Sequence, residues 1–184
     1  MKSLIKSLRP LLSIAIVVSL SSCQPGEKSA STAKSPQGEP SAPLLAVFTQ
    51  EKPAAAITVA EAVATAKPDT ELVVHAKLLG AENIFVNNRS AFMIGDPKLL
   101  TSCDNKPGDN CATPWDACCD SSEIKRLATA TVQVVDAKGA VLRENIRDVA
   151  GLKELSEVVV AGKVAPSSGN GVLIINAKAI YVGK

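Results

Sequence analysis

The sequence predicts a mainly β domain: a five-stranded Greek-key barrel with one N-terminal helix, a short helical turn and a cysteine-rich loop insertion. Three observations lead there. Five runs between residues 71 and 182 are rich in Val, Ile, Leu and Ala, and Gly, Pro, Asp and Ser clusters separate them. Aromatics make up only 3% of a chain that is 46% apolar, so the core must be built from small branched side chains. A helical turn between the third and fourth runs is what a small Greek-key barrel accommodates.

The elements follow in order. Thr58-Val59-Ala60-Glu61 has the Thr and Glu of a capping box, which predicts an Ala-rich helix over about 59–66 that must close before Pro68. The first strand covers 71–79, with Leu72, Val74, Ala76 and Leu78 on one face and Val73, His75 and Lys77 on the other. The second strand is 90–95, ended by Asp96-Pro97, and Phe92 on it is a core candidate. The third strand is 129–135. Asp136-Ala-Lys-Gly139 is a turn whose glycine can take positive φ, and Val141 and Leu142 extend a hairpin. Residues 151–156 read as the helical turn, 157–164 as the fourth strand, 166–171 as a loop and 172–182 as the fifth strand.

On residues 57–62, 158–163 and 173–180 the chain resembles exported bacterial OB-fold domains. The resemblance spans about 57–184 without the cysteine loop, and its motifs are short. A different five- or six-stranded barrel or sandwich is compatible with the same pattern. Fold does not carry function. OB-folds that hold single strands need aromatic platforms and a basic groove. Here the domain's aromatics are Phe85, Phe92, Trp115 and Tyr181, so nucleic acid is not an expected partner. The exported haem chaperone of cytochrome c maturation pairs a His with a Tyr four residues on, whereas His75 is followed by Leu79, so a haem site is not expected either.

The N-terminus reads as an address. Lys2, Lys6 and Arg9 precede a short apolar run over 11–20, too short to span a bilayer and suited to a signal peptide. Leu20-Ser21-Ser22-Cys23 then resembles the bacterial lipobox. The resemblance implies that residues 1–22 are cleaved and that Cys23 becomes the acylated N-terminus, an anchor firmer than a single myristoyl chain. Gln24 in place of Asp implies the periplasmic face of the outer membrane. Residues 23–55 carry Pro25, Pro36, Pro40, Pro43 and Pro53 among Ser, Ala, Gly and Lys. They are expected to be a disordered tether with a root-mean-square span of roughly 30 Å. Leu44 to Phe48 break that pattern and could dock on the domain, which is expected over 56–184.

Charge narrows the partners. The formal net charge is +2, but without Lys2, Lys6 and Arg9 the body carries 17 basic against 18 acidic residues. A near-neutral body does not bind a polyanion through clustered charge. The membrane, through the lipid, and an envelope protein or small ligand are the expected partners.

The most informative stretch interrupts the second and third strands, over about 96–126, and holds Cys103, Cys111, Cys118 and Cys119. A structureless connection of about 30 residues is uncommon and needs something to order it. With Cys23 lipidated, four cysteines remain, and an even number in an oxidising space reads first as two disulfides. Cys103–Cys118 with Cys111–Cys119, or Cys103–Cys119 with Cys111–Cys118, are favoured over a strained vicinal Cys118–Cys119 bridge. The block Gly108-Asp-Asn-Cys-Ala-Thr-Pro-Trp-Asp-Ala-Cys-Cys resembles a signature of exported bacterial proteins, and this implies no activity.

Other chemistry competes for the same loop. Thiolates can bind a soft metal such as Cu(I) or Zn, although no Cys-x-x-Cys is present. Cys118-Cys119 as a redox pair lacks that motif too. Asp104, Asp109, Asp116, Asp120 and Glu123 are suitable Ca²⁺ ligands without EF-hand spacing. Trp115, Asp109, Asp116 and Asp120 are the candidate binding residues of the loop, with Trp115 either a lid over it or an exposed contact. No catalytic constellation, resident metal or cofactor is expected: His75 stands alone on an outward strand position, and Ser167-Ser168 lie in a turn with no base nearby. The expectation is a non-enzymatic binding or structural module of the cell envelope with a disulfide-pinned loop. A metal-handling envelope lipoprotein is the alternative.

Overall fold

The computed structural model describes residues 38–184 apart from Pro107, Asp109 and Lys184. The lipobox with Cys23, the first part of the expected tether and the candidate residue Asp109 lie outside the described residues.

The fold is mainly β. Its elements are α1 (Ala42–Leu45), β1 (Ile57–Thr58), α2 (Val59–Thr65), β2 (Glu71–Lys77), β3 (Ala91–Gly95), α3 (Ser122–Ala128), β4 (Thr129–Gln133), β5 (Glu157–Val164) and β6 (Ile174–Val182), with single 3₁₀ turns at Cys103–Asn105 and Val149–Gly151. The strands run β2-β3-β4-β6-β5, and β5 pairs back onto β2, so five strands close a barrel. All these pairings are antiparallel except β4 with β6, which is parallel from Thr131 opposite Ile174 to Gln133 opposite Asn176. β2 pairs along its whole length with β5, from Glu71 opposite Lys163 to Lys77 opposite Glu157. Its other edge meets β1 at Val74 and His75 and β3 at Lys77.

Alternation along the strands builds the core. Val74 and Ala76 on β2, with Leu78 just beyond it, point inward and are fully buried, as are Phe92, Val132, Val160, Ile175 and Ile180 from the other strands. The Phe92 ring packs against Phe85, with centroids 6.2 Å apart. Gly162 marks a bulge between β5 and β6, and the chains approach so closely there that a Cβ on it would stand 2.4 Å from the Asn176 carbonyl oxygen.

The capping box is formed in both directions. Glu61 N–H donates to Thr58 Oγ1 at 3.2 Å, and Thr58 N–H donates to Glu61 Oε2 at 2.8 Å. Val59 and Ala62 are the buried side chains of α2, and the helix stops at Ala66, which is extended two residues before Pro68. The hairpin after β4 forms through Val135 opposite Val141, with Gly139 at φ +81°. The helical turn lies at Val149–Gly151, ahead of the expected 151–156, and Leu155 holds a φ of 63° within the expected span.

Two parts of the chain depart from expectation. The stretch 23–55 is not wholly a disordered tether: the run 44–48, which could dock on the domain, does so, and residues 41–49 are seated on the barrel. Ser41 caps α1, with Leu44 N–H donating to its hydroxyl at 3.3 Å. Pro43 lies in the first turn, where its missing N–H leaves no bond unmade. Leu44 is fully buried in the main core, Ile180 N–H donates to Val47 O at 2.7 Å, and Thr49 N–H donates to Ile180 O at 3.0 Å. The prolines forbid a long helix but not this strap, and Leu44 is held by tertiary burial rather than by a local pattern. The second departure is α3, which lies inside the cysteine insertion. Ser121 caps it through Ile124 N–H, Glu123 lies in its first turn, and Lys125 and Arg126 lie in its last.

Candidate functional site

The cysteine-rich insertion is fastened to the barrel from the end of β3. Gly95 is required there: a Cβ would lie 2.8 Å from both Leu79 Cδ1 and Leu100 Cδ1, and 2.9 Å from the Leu79 carbonyl oxygen. The next residue, Asp96, is 1% exposed and ties three segments together. Its N–H donates to Ala128 O, its carbonyl accepts from Leu100 N–H, and its Oδ2 accepts from Ala60 N–H in the first turn of α2 at 3.2 Å. Asp96 was not singled out by sequence. Its position after a strand and before proline reads only as a stop signal.

Below this junction Leu79, Leu100, Ala117 and Ala128 form a second, small core, with Leu155 packed against it. Two arms of the loop then run side by side. Cys103 N–H donates to Asp116 O and Asp104 N–H donates to Pro114 O, both at 2.9 Å. Asp120 Oδ2 accepts from Thr101 N–H at 2.8 Å, so this carboxylate closes the base of the loop. Trp115 is half-buried. It packs against the barrel's main core rather than the small one, and its Nε1–H donates to Glu82 O at 2.9 Å. Its carbonyl accepts from Gly80 N–H at 3.0 Å. Trp115 is thus a peg between loop and barrel, neither a lid on the sulfurs nor a free contact residue.

Pairing the arms converges the sulfurs. Cys103, on the 3₁₀ turn, is 2% exposed, Cys111 is half-buried, and Cys118 and Cys119 are exposed. The sulfurs of Cys103, Cys111 and Cys118 all lie within 4.8 Å of one another. Cys103 Sγ and Cys118 Sγ are 3.5 Å apart, and Cys118 Sγ and Cys119 Sγ are 3.8 Å apart. Cys111 Sγ is 3.5 Å from Thr113 Oγ1. The two expected disulfides are not formed among the described residues, since a disulfide holds its sulfurs about 2.05 Å apart. The physical difference is one of arrangement: three sulfurs meet at one point, where two bridges require two separate pairs.

Electrostatics set the sulfurs apart. Burial pushes the Cys103 thiol up to about 12, and hydrogen bonding with Cys118 and Cys111 adds to this. For Cys118 the hydrogen bond with Cys103 pulls the thiol down, but Cys119, burial and the neighbouring sulfurs together leave it raised. Lys106 is raised above its ordinary value, first by its hydrogen bond with Cys119 and then by nearby Asp120 and Cys103.

Other candidates do not join this cluster. Among the described residues no three carboxylates converge, so Asp104, Asp116, Asp120 and Glu123 build no Ca²⁺ cage there. His75 Nε2 lies 3.8 Å from Glu157 Oε2 on the barrel surface. A groove of about 400 Å³ beside Leu155 is lined by Lys77, Lys153, Glu154 and Glu157, whose charges cancel. No helix among the described residues is long and apolar enough to cross a membrane. Comparison with protein-family models, curated proteins and solved structures finds no match to this chain.

Proposed function

We propose that this chain is a non-enzymatic binding module of the cell envelope, held to a membrane by lipid on Cys23, with its cysteine-rich loop as the ligand-bearing edge. The observation that carries the reading is the convergence of Cys103, Cys111 and Cys118 at a junction pegged to the barrel by Asp96 and Trp115. A loop that served only as a connection would not need a small core and a buried carboxylate of its own. The barrel closes all its strand edges in a ring and supplies a rigid support.

We assign the barrel to the OB type of Greek key. The supporting observation is its order: the first barrel strand lies between the second and fourth, and the third and fifth run parallel. The basic leader, the lipobox and Gln24 support placement at the periplasmic face of the outer membrane.

Two measurements test the reading. Mass spectrometry of the N-terminal peptide from envelope-purified protein is expected to show acylated Cys23, and Cys23→Ala is expected to move the chain to the soluble fraction. A photoreactive residue at exposed Ala112 is expected to cross-link to an envelope component, and one at exposed Lys138 in the 136–139 turn is not. An unacylated chain overturns the anchor. Equal labelling at both positions, or none at Ala112, overturns the loop as the binding edge.

A further inference from the structure

We propose that Cys103, Cys111 and Cys118 form a three-sulfur site for a single Cu(I) ion. The inference deepens the reading of the loop as ligand-bearing edge and rests on it. Geometry carries it. An ion about 2.3 Å from each of three sulfurs in a plane holds them about 4 Å apart. Here the sulfurs of Cys103 and Cys118 are 3.5 Å apart, and all three lie within 4.8 Å of one another without a disulfide among them. That span suits one shared cation.

The donor set selects the metal class. All three ligands are soft sulfurs, and among the described residues no His, Asp or Glu shares the group. Thiolate-only donors select Cu(I), Zn or iron–sulfur clusters, and structural zinc takes four ligands in a tetrahedron. The fourth cysteine stands outside the group. Cys119 follows Cys118 directly, with its sulfur 3.8 Å from that of Cys118, and it is engaged by Lys106. Three converging sulfurs with the fourth outside their group suit a three-coordinate ion.

Binding balances without a redox step. Each of the three thiols gives up its proton as its sulfur bonds to the ion, so one Cu(I) enters and three protons leave to solvent. The product carries two negative charges. Lys106 lies on the side of Cys119, and its ammonium offsets part of that charge. Cys103 forms the buried wall of the site and Cys118 its exposed wall, so an ion enters from solvent past Cys118.

The test uses the full lipidated chain in detergent micelles, reduced and freed of reductant without oxygen. Cu(I) is supplied from a coloured chelator of known affinity, and Zn(II) is offered in parallel. We expect one Cu(I) per chain, protection of three of the four loop thiols from maleimide, and an X-ray absorption spectrum with three sulfurs at about 2.3 Å. Cys103→Ser, Cys111→Ser and Cys118→Ser are each expected to weaken binding by at least about 100-fold. Cys119→Ser is expected to leave it unchanged. The coordination number of the unaltered protein keeps the test decisive where Cys103→Ser disturbs the buried wall. No uptake of Cu(I) from the chelator overturns the site, as does a four-sulfur zinc site that needs Cys119. So do loop cysteines that leave the envelope as two disulfides and, once reduced, take up no Cu(I). A chain that binds no Cu(I) yet still cross-links from Ala112 defeats the metal and spares the binding edge. A chain that binds Cu(I) but lacks acyl on Cys23 does the reverse for the anchor.

Discussion

In the barrel, side chains from every strand meet in one continuous core, and Val74, Phe92, Val132, Val160 and Ile175 are each fully buried within it. In the cysteine-rich loop the apolar filling comes to Leu79, Leu100, Ala117 and Ala128, with Leu155 leaning in. Ordering one residue costs about 1–2 kcal/mol of backbone entropy, and burying a leucine recovers about 2 kcal/mol. Two leucines cannot hold a segment from Asp96 to Ser121 by themselves. The barrel is held by bulk and the loop by a few specific ties: Gly95, Asp96, Trp115, Asp120 and the sulfurs. Regions built these two ways respond differently to damage. Loss of one side chain from the barrel weakens everything, whereas loss of one tie frees the loop and leaves the barrel standing.

The largest perturbation breaks the comparison outright. Phe92→Ala removes a ring that is 0% exposed and is expected to cost about 3–5 kcal/mol of global stability. Urea unfolding followed by circular dichroism should show loop and barrel lost together. A smaller loss is expected from Leu44→Ala, about 2–3 kcal/mol, because the strap can leave while the barrel persists. Hydrogen exchange should then rise first at the Ile180 amide, which the strap carbonyl of Val47 accepts from. Leu100→Ala sharpens the comparison: at about 2 kcal/mol it should open the loop alone, raising the alkylation rate of Cys103 with little change in the barrel's unfolding midpoint. An equal fall in both would show that the loop is not a separate unit.

The mildest perturbation is pH. In metal-free, reduced protein Cys103 stays a thiol up to about 12, whereas in the unfolded chain it ionises near 9. The folded state therefore holds the proton more tightly. Stability from the neutral thiol is fully present below pH 9 and is lost as pH rises from there through 12. Alkaline titration of loop opening should show this loss, and Cys103→Ala should remove it. At pH 8, Cys103 is expected to be the slowest of the four loop cysteines to alkylate.

The same contrast explains what could be read from the chain beforehand. β5 matches its expected run, 157–164, end to end because a β-rich stretch bounded by turn residues is a local signal. The capping box of Thr58 and Glu61 is local as well. The helix α3 is hard to read because it has only seven residues: Ile124, Leu127 and Ala128 recur at helical spacing for a single repeat, and in the fold only Ala128 of them is buried, with Ile124 and Leu127 at 41% and 43% exposure. The run 44–48 is legible as an apolar break that could dock, but not where it docks, because its partner Ile180 is distant in the chain. In the site, the sequence identifies the four cysteines as a set but not their arrangement. Paired arms decide that three sulfurs meet and that Cys119 stays outside their group, and no spacing rule expresses such pairing. For Trp115 the sequence offers a lid or an exposed contact, and its place as a peg against the main core is neither.

The seated strap has a mechanical consequence. The strap's ties begin, among the described residues, at Ser41, whose N–H and hydroxyl both donate to the Glu144 carboxylate, and continue at Leu44. Val47 to Thr49 pair with β6 at Ile180, so tension on the strap would be borne by that strand and by the segment holding Glu144. The cysteine loop leaves the barrel elsewhere, between β3 and β4. The loop's ties through Asp96, Trp115 and Asp120 involve no strap residue, so peeling the strap would break none of them.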